Sequence, residues 1–154
     1  MLRDTMLALG RRYDFEEDHS LQDERLALRL FDETGRLGLL RLGRVTGTVS
    51  PRDILGSAAI LHDIGYAEGY EEHHKTAFRL ITQESIEGLS EHERLLIALV
   101  ARYHRGATPD PQKHGPFGSL DVAGRQLVTQ LGSILRFADG LDRSHTSAVL
   151  DLNC

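Results

Sequence analysis

Apolar residues recur along most of the chain at the three- and four-residue steps of an α-helix. Leu2, Met6, Leu9 and Tyr13 trace one face of a first helix. Leu26, Leu30 and Phe31 give the stripe of a second over about 16–31, where "DETG" ends it with Gly35 as the expected C-cap. Residues 36–49 read as a loop: Gly38, Gly43 and Gly47 interrupt it, and only β-branched Val45, Thr46, Thr48 and Val49 speak for a short strand. Ser50 as N-cap and Pro51 at the first position open a third helix, which runs to about His62 and stops near Gly65. A fourth covers roughly 71–84. Ser90 and Glu93 form a capping box for a fifth, which continues through "RLLIALVARYHR" to Gly106. Residues 107–119 hold three of the four prolines and read as a long loop, a kind of segment that is often functional or mobile. A last helical pattern runs from about Leu120 to Leu141. There is no internal repeat and no low-complexity tract. The pattern predicts an all-α fold, a bundle of about six or seven helices in one domain over 1–154.

Composition narrows the partners. A chain of 154 residues can build its own core. The net charge of −5 works against a broad nucleic-acid surface or an anionic-membrane surface, since both need a basic field. A local basic pocket for one small phosphorylated ligand is compatible with it. The longest strongly apolar run, "LLIALVA" at 95–101, is far too short to span a bilayer. "MLRDTMLALGRR" carries Asp4 and no sustained apolar stretch, so it does not read as a signal peptide. The single cysteine, Cys154, cannot staple the fold, and an intracellular, cytoplasmic location is the expectation. Homodimerisation is left open.

Eight histidines are many for this length, and three of them, His62, His73 and His74, fall within one short window. His19 lies near the start of the second helix, His62 and Asp63 end the third, and Asp139 sits in "RFADGLDR" near the end of the last. Adjacent helical residues point about 100° apart, so both members of a His-Asp pair face one centre only at a helix end or a distortion. Gly65 supplies that relaxation. Imidazole nitrogens and carboxylate oxygens without thiolate suit a divalent ion such as Mn, Fe, Co, Ni, Zn or Mg. On these residues alone the pair reads more readily as ordinary helix-terminal polar groups.

"HDIGY" after an apolar helix, with an upstream histidine and a downstream "AD" on another helix, resembles the HD superfamily of metal-dependent phosphohydrolases. The resemblance is closer to the helical C-terminal part of the exopolyphosphatase / guanosine pentaphosphate phosphatase (Ppx/GppA) family. The segments that carry it are "HSLQDERLALRLFD" (19–32), "LHDIGY" (61–66), "HHKTAFRLI" (73–81), "LSEHERLLIALVARYHR" (89–105) and "ILRFADGLDRSH" (134–145). They span most of the chain in the right order. The resemblance implies a bundle of α-helices with a metal site between them and places the ligands at His19, His62, Asp63 and Asp139. A second ion, which some HD members bind, would fall to His73 (or its neighbour His74) and His104. The spacing to "TAFRLI" favours His73.

Two departures bear on function. Polyphosphate hydrolysis in the family is attributed to an actin-like region preceding the helical part, and no glycine-rich phosphate-binding start of that kind stands in this sequence. Asp23, one turn after His19, occupies a position where the family pattern expects an apolar residue, and reads as either a partner of a ligand histidine or an exposed carboxylate. Lys75, Arg105 and Arg143 stand beside candidate ligands and are suited to phosphate oxygens. His92, inside the capping box, reads as exposed. His114 and His145 have no partner that the sequence names, although His114 would approach a bound ligand if 107–119 acts as a lid.

Two functions follow from these residues. The first is a metal-dependent phosphohydrolase acting on a nucleotide or another small phosphate ester, with Asp63 as the catalytic carboxylate bridging two ions. The second is a non-catalytic, metal-containing module that binds nucleotide or polyphosphate, or serves as a regulatory partner domain.

Overall fold

The computed structural model describes residues 1–45 and 47–153. Thr46, one of the β-branched residues of the expected loop, and Cys154 lie outside the described residues. The fold is all-helical: α1 (Leu2–Arg12), α2 (Glu17–Arg36), α3 (Pro51–Leu61), α4 (His73–Gln83), α5 (Glu91–Arg102), α6 (Gly115–Gly118) and α7 (Val122–Leu141), with a 3₁₀ turn over Ile64–Glu68. No strand occurs among the described residues, so the segment before α3 is loop throughout its described part.

Two helices form the middle of the bundle because they are apolar on every side. Every residue of α3 from Ile54 to Leu61 is buried, and so is every residue of α5 from Leu96 to Ala101. The amphipathic helices wrap them: α1 and α2 pack on α3, α4 packs on α5, and α7 crosses to α2, α3 and α5. Leu26, Leu55, Leu61, Ile97, Leu127 and Leu131 meet in the shared core.

The capping signals place helix starts well. Ser50 accepts from the Asp53 amide with Pro51 at the first position, Ser90 and Glu93 form the expected box, and Asp121 accepts from the Gly124 amide. Helix ends differ. Gly35 does not cap α2, which runs one residue further to Arg36. The left-handed position falls instead on Gly38, at φ +70°, and Gly35 stays helical inside the last turn. The fifth helix stops at Arg102, short of Gly106, where Tyr103 leaves helical geometry. The proline-rich 107–119 segment is not wholly loop, since Gly115 and Pro116 open the single turn α6, too short to show a period.

Glu93 ties the loop before α3 to the bundle. One carboxylate oxygen accepts from the Thr48 amide at 2.6 Å and the Val49 amide at 2.9 Å; the other accepts from the Ser90 amide at 2.9 Å. Burial opposes the charge, but the bonds from Ser90, Val49 and Thr48 outweigh it and hold the carboxyl down at about 2. Glu93→Ala strands these donors away from water and is expected to cost about 3 kcal/mol in urea unfolding, with little effect on the metal centre. A loss under roughly 1 kcal/mol would mean that the loop finds other acceptors.

Candidate metal centre

The centre forms where helix ends converge. His19 and Asp23 stand one turn apart in the first part of α2, and Asp139 lies in the last turn of α7. His62 caps α3, His73 opens α4, and His104 follows α5. All seven residues of the cluster, counting Asp63, are buried.

The chain makes His62 and Asp63 face inward together by leaving the helix at Asp63, whose φ of −105° and ψ of 5° depart from α geometry. The relaxation expected at Gly65 therefore occurs two residues earlier. Gly65 serves a different purpose: a Cβ there would lie 1.9 Å from the His73 carbonyl oxygen, so only glycine lets the 3₁₀ turn press against the start of α4.

Asp63 divides the centre in two. Its Oδ2 lies 3.3 Å from His62 Nε2 and 3.6 Å from His19 Nε2. Its Oδ1 lies 3.2 Å from His73 Nε2 and 3.5 Å from His104 Nε2. On the first side, His19 Nε2 is 3.5 Å from both Asp23 Oδ2 and Asp139 Oδ1, and His62 Nε2 is 3.4 Å from Asp23 Oδ2 and 4.0 Å from Asp139 Oδ1. His19, Asp23, His62 and Asp139 form one group that could hold a metal ion, and His62, Asp63 and His104 form another. Asp23 is fully buried, which excludes the exposed alternative and adds a carboxylate to the expected set.

The outward nitrogens show why the inner ones are acceptors. His62 Nδ1 lies 2.7 Å from the Ala59 carbonyl, His104 Nδ1 2.5 Å from that of Ala101, and His73 Nδ1 3.2 Å from that of Tyr70. His19 Nδ1 lies 2.8 Å from Asp142 Oδ2. A ring that donates from Nδ1 turns the Nε2 lone pair inward. His19 Nε2, His62 Nε2, both Asp23 oxygens and Asp63 Oδ1 are then buried without a hydrogen-bond partner, and His73 Nε2 meets His104 Nε2 at 3.3 Å. Two ligands about 2.1 Å from one ion and about 90–110° apart lie about 3.0–3.4 Å from each other. The residues present fit a divalent ion on that measure.

The electrostatics agree. Burial favours neutral imidazole, but Asp139, Asp23 and Asp142 overcome it and push His19 up to about 8. For His62 the same contest, led by Asp63, ends at about 10. Burial raises the Asp23 carboxyl to about 6 against the pull of His62 and His19. His62, His104 and His73 overcome burial at Asp63 and hold it far below the usual carboxylate range. Buried carboxylates in this cluster demand cations, which protons supply unless a metal ion displaces them.

A cavity of about 980 Å³ opens onto Asp63, lined in part by Tyr66, Tyr70, Arg105, Arg143 and His145. Arg105 Nε approaches Asp139 Oδ2 at 3.5 Å. Lys75 does not reach this cavity: it is exposed, bonds Glu72, and lines a separate hollow with Arg105. His74 lines that second hollow too, which leaves His73 as the histidine facing Asp63. His114 is there as well, accepting from the Tyr103 hydroxyl at 2.9 Å rather than closing over the centre.

Two residues had no role in the sequence reading. His145 stacks on the His19 ring at 3.6 Å and lies 2.7 Å from Glu16; its backbone sits at φ +55°, which no local pattern announces. Asp142 was legible, because it follows Asp139 by three residues on the same helix face. Asp142 also accepts from the Ser147 amide at 2.8 Å, so it ties both His19 and the C-terminal segment to α7. Asp142→Asn keeps the shape but weakens the grip on the His19 ring. Metal affinity is expected to fall about 10- to 100-fold in a chelator competition, and an unchanged affinity would show that the ring is held by packing alone.

Fold and centre together define an α-helical bundle with a buried His/Asp cluster able to hold metal at helix ends. The sequence matches the family described as Ppx/GppA phosphatase, domain III, over residues 2–154, and the chain belongs to that family. The coarser resemblance to the HD superfamily is consistent with this membership. No curated protein matches the chain. Among the described residues no helix is long and apolar enough to cross a membrane.

Proposed function

We propose that the chain is a metal-dependent phosphohydrolase of the HD type acting on a nucleotide or another small phosphate ester. The observation that carries this reading is the set of buried, unpartnered acceptors around Asp63 at the floor of an open cavity. His19, Asp23, His62, Asp63 and Asp139 would hold one divalent ion, with His73 and His104 joining Asp63 for a second. A bound ion supplies Lewis-acid polarisation of a phosphoryl oxygen and a lowered pKa for coordinated water. The chain's own groups then orient the substrate. Arg105 and Arg143 reach the cavity from the side of Asp139 and match phosphate oxygens through their planar forks. Tyr66 stacks on the His73 ring at 4.1 Å and fixes its plane.

A second reading rests on the family description, which is that of a phosphatase's third domain. It makes the chain a metal-containing module that binds nucleotide or polyphosphate, or a regulatory partner domain, without turnover. Phosphate release from nucleotides, pyrophosphate and polyphosphate, measured with each of Mn, Fe, Co, Ni, Zn and Mg, separates the two. The hydrolase reading expects release only with metal, and an Arg143→Ala variant with KM raised more than kcat is lowered, as for a contact made equally in ground and transition states. Bound metal with no release from any substrate selects the binding module.

A further inference from the structure

The second hollow, about 250 Å³, opens between the start of α4, the end of α5 and the segment before α6. Lys75, Arg102 and Arg105 converge on it with His74, Tyr103 and His114, and no acidic side chain among the described residues lines it. We propose that this hollow is a phosphate-binding site distinct from the metal centre, with Arg105 standing between the two. The site does not depend on hydrolysis at the metal centre.

The cations are held in place rather than merely solvated. The Arg102 guanidinium lies 5.3 Å from the Phe78 ring centroid and 5.9 Å from that of Tyr103, and among the described residues it makes no direct ion pair. Stacking of this kind fixes the fork while leaving its N–H groups for an acceptor. Arg105 is set by the turn that follows α5. Arg136 donates to the His104 carbonyl at 3.3 Å and to the Gly106 carbonyl. Gly106 takes φ +72°, a left-handed position that favours glycine, and a Cβ there would crowd His74 Nε2 at 2.7 Å. His114 adds a donor. Its Nδ1 accepts from the Asp110 amide at 3.1 Å and from the Tyr103 hydroxyl, which leaves the proton on Nε2.

In a chain of net charge −5, three cations converge on one carboxylate-free hollow. Lys75 and Arg105 meet Glu72 and Asp139 outside it, while Arg102 pairs with no carboxylate among the described residues, so an anion in the hollow would complete the set. Two guanidinium forks, an ammonium and an imidazole N–H suit a tetrahedral oxyanion with several acceptor oxygens, which is a phosphate group. It could come as the free ion. It could equally be the distal phosphate of a chain whose other end passes Arg105 into the cavity over Asp63.

Calorimetric titration of the chelator-treated protein with inorganic phosphate and with tripolyphosphate tests the site. One-to-one binding that weakens as NaCl rises is expected, with a loss of tenfold or more in Lys75→Gln/Arg102→Gln. Asp63→Ala should bind as the wild type does. If the double variant melts early, Lys75→Glu alone reverses one exposed charge and should still weaken binding at least about threefold. Arg143→Gln distinguishes the sources: it leaves both anions unaffected for a free-phosphate site, and weakens tripolyphosphate alone if a chain spans both cavities. No binding, binding unchanged in the Lys75 and Arg102 variants, or binding weakened for both anions only by Arg143→Gln or Asp63→Ala would overturn the proposal.

Discussion

Asp63→Ala is expected to disable both halves of the metal centre at once, emptying the second and weakening the first, and to remove any metal-dependent phosphate release. Among the described residues no other side chain has an oxygen on each side: Oδ2 faces His62 and His19, and Oδ1 faces His73 and His104. Its removal leaves His73 and His104 with no carboxylate between them, and takes from His19 and His62 the oxygen that joins them to the second half, leaving that side to Asp23 and Asp139. His73→Ala, by contrast, strips only the second half and should leave about one equivalent of metal. Turnover in Asp63→Ala should fall about a thousandfold or more, equivalent to roughly 4 kcal/mol of transition-state stabilisation, the scale of a lost Lewis acid. The helix should survive, because Ile54 to Leu61 are held by the core and not by the centre. Elemental analysis after gel filtration, with circular dichroism as the fold control, reads the result. Full metal content in the variant would place the ion elsewhere.

The helices were legible because their starts carry local chemistry and their faces a period of three to four residues. Ser50, Ser90 and Asp121 bond the amides that their side-chain types predict. Ends were harder to read, since Gly35 and Gly38 both qualify as terminators and only packing decides between them. In the centre, the convergence of His19, His62, Asp63 and Asp139 was readable through family resemblance, since no local rule brings residue 19 to residue 139. Asp23 needed only the helix period: four residues after His19, it must share that face. The same rule separates Lys75 from the ligands. Two residues beyond His73 on one helix is a turn of about 200°, so the two side chains leave on opposite sides. The stack of His145 on His19 had no signal at all, because it depends on a left-handed residue beyond the end of α7.

Metal removal should destabilise the fold, and by an amount that grows with pH. In the metal-free protein His62 and His19 titrate near 10 and 8, above the ordinary imidazole value, so they contribute stability fully below about pH 6.5 and lose it as pH rises through those values. Asp23, pushed up to about 6, works in the same direction, because the unfolded chain gives up that proton earlier than the fold does. An incoming ion must displace these protons, so its apparent affinity rises over the interval in which the metal-free fold weakens. At a metal concentration about a thousand times Kd the gain is about 4 kcal/mol, or roughly 8–16 °C in Tm for a chain of this size. Paired melts with chelator and with metal should therefore differ little at pH 6 and widely at pH 8.5, and Asp139→Ala should erase most of the difference at the higher pH. Curves that coincide at both values would mean that protons alone satisfy the cluster and that its carboxylates hold no ion.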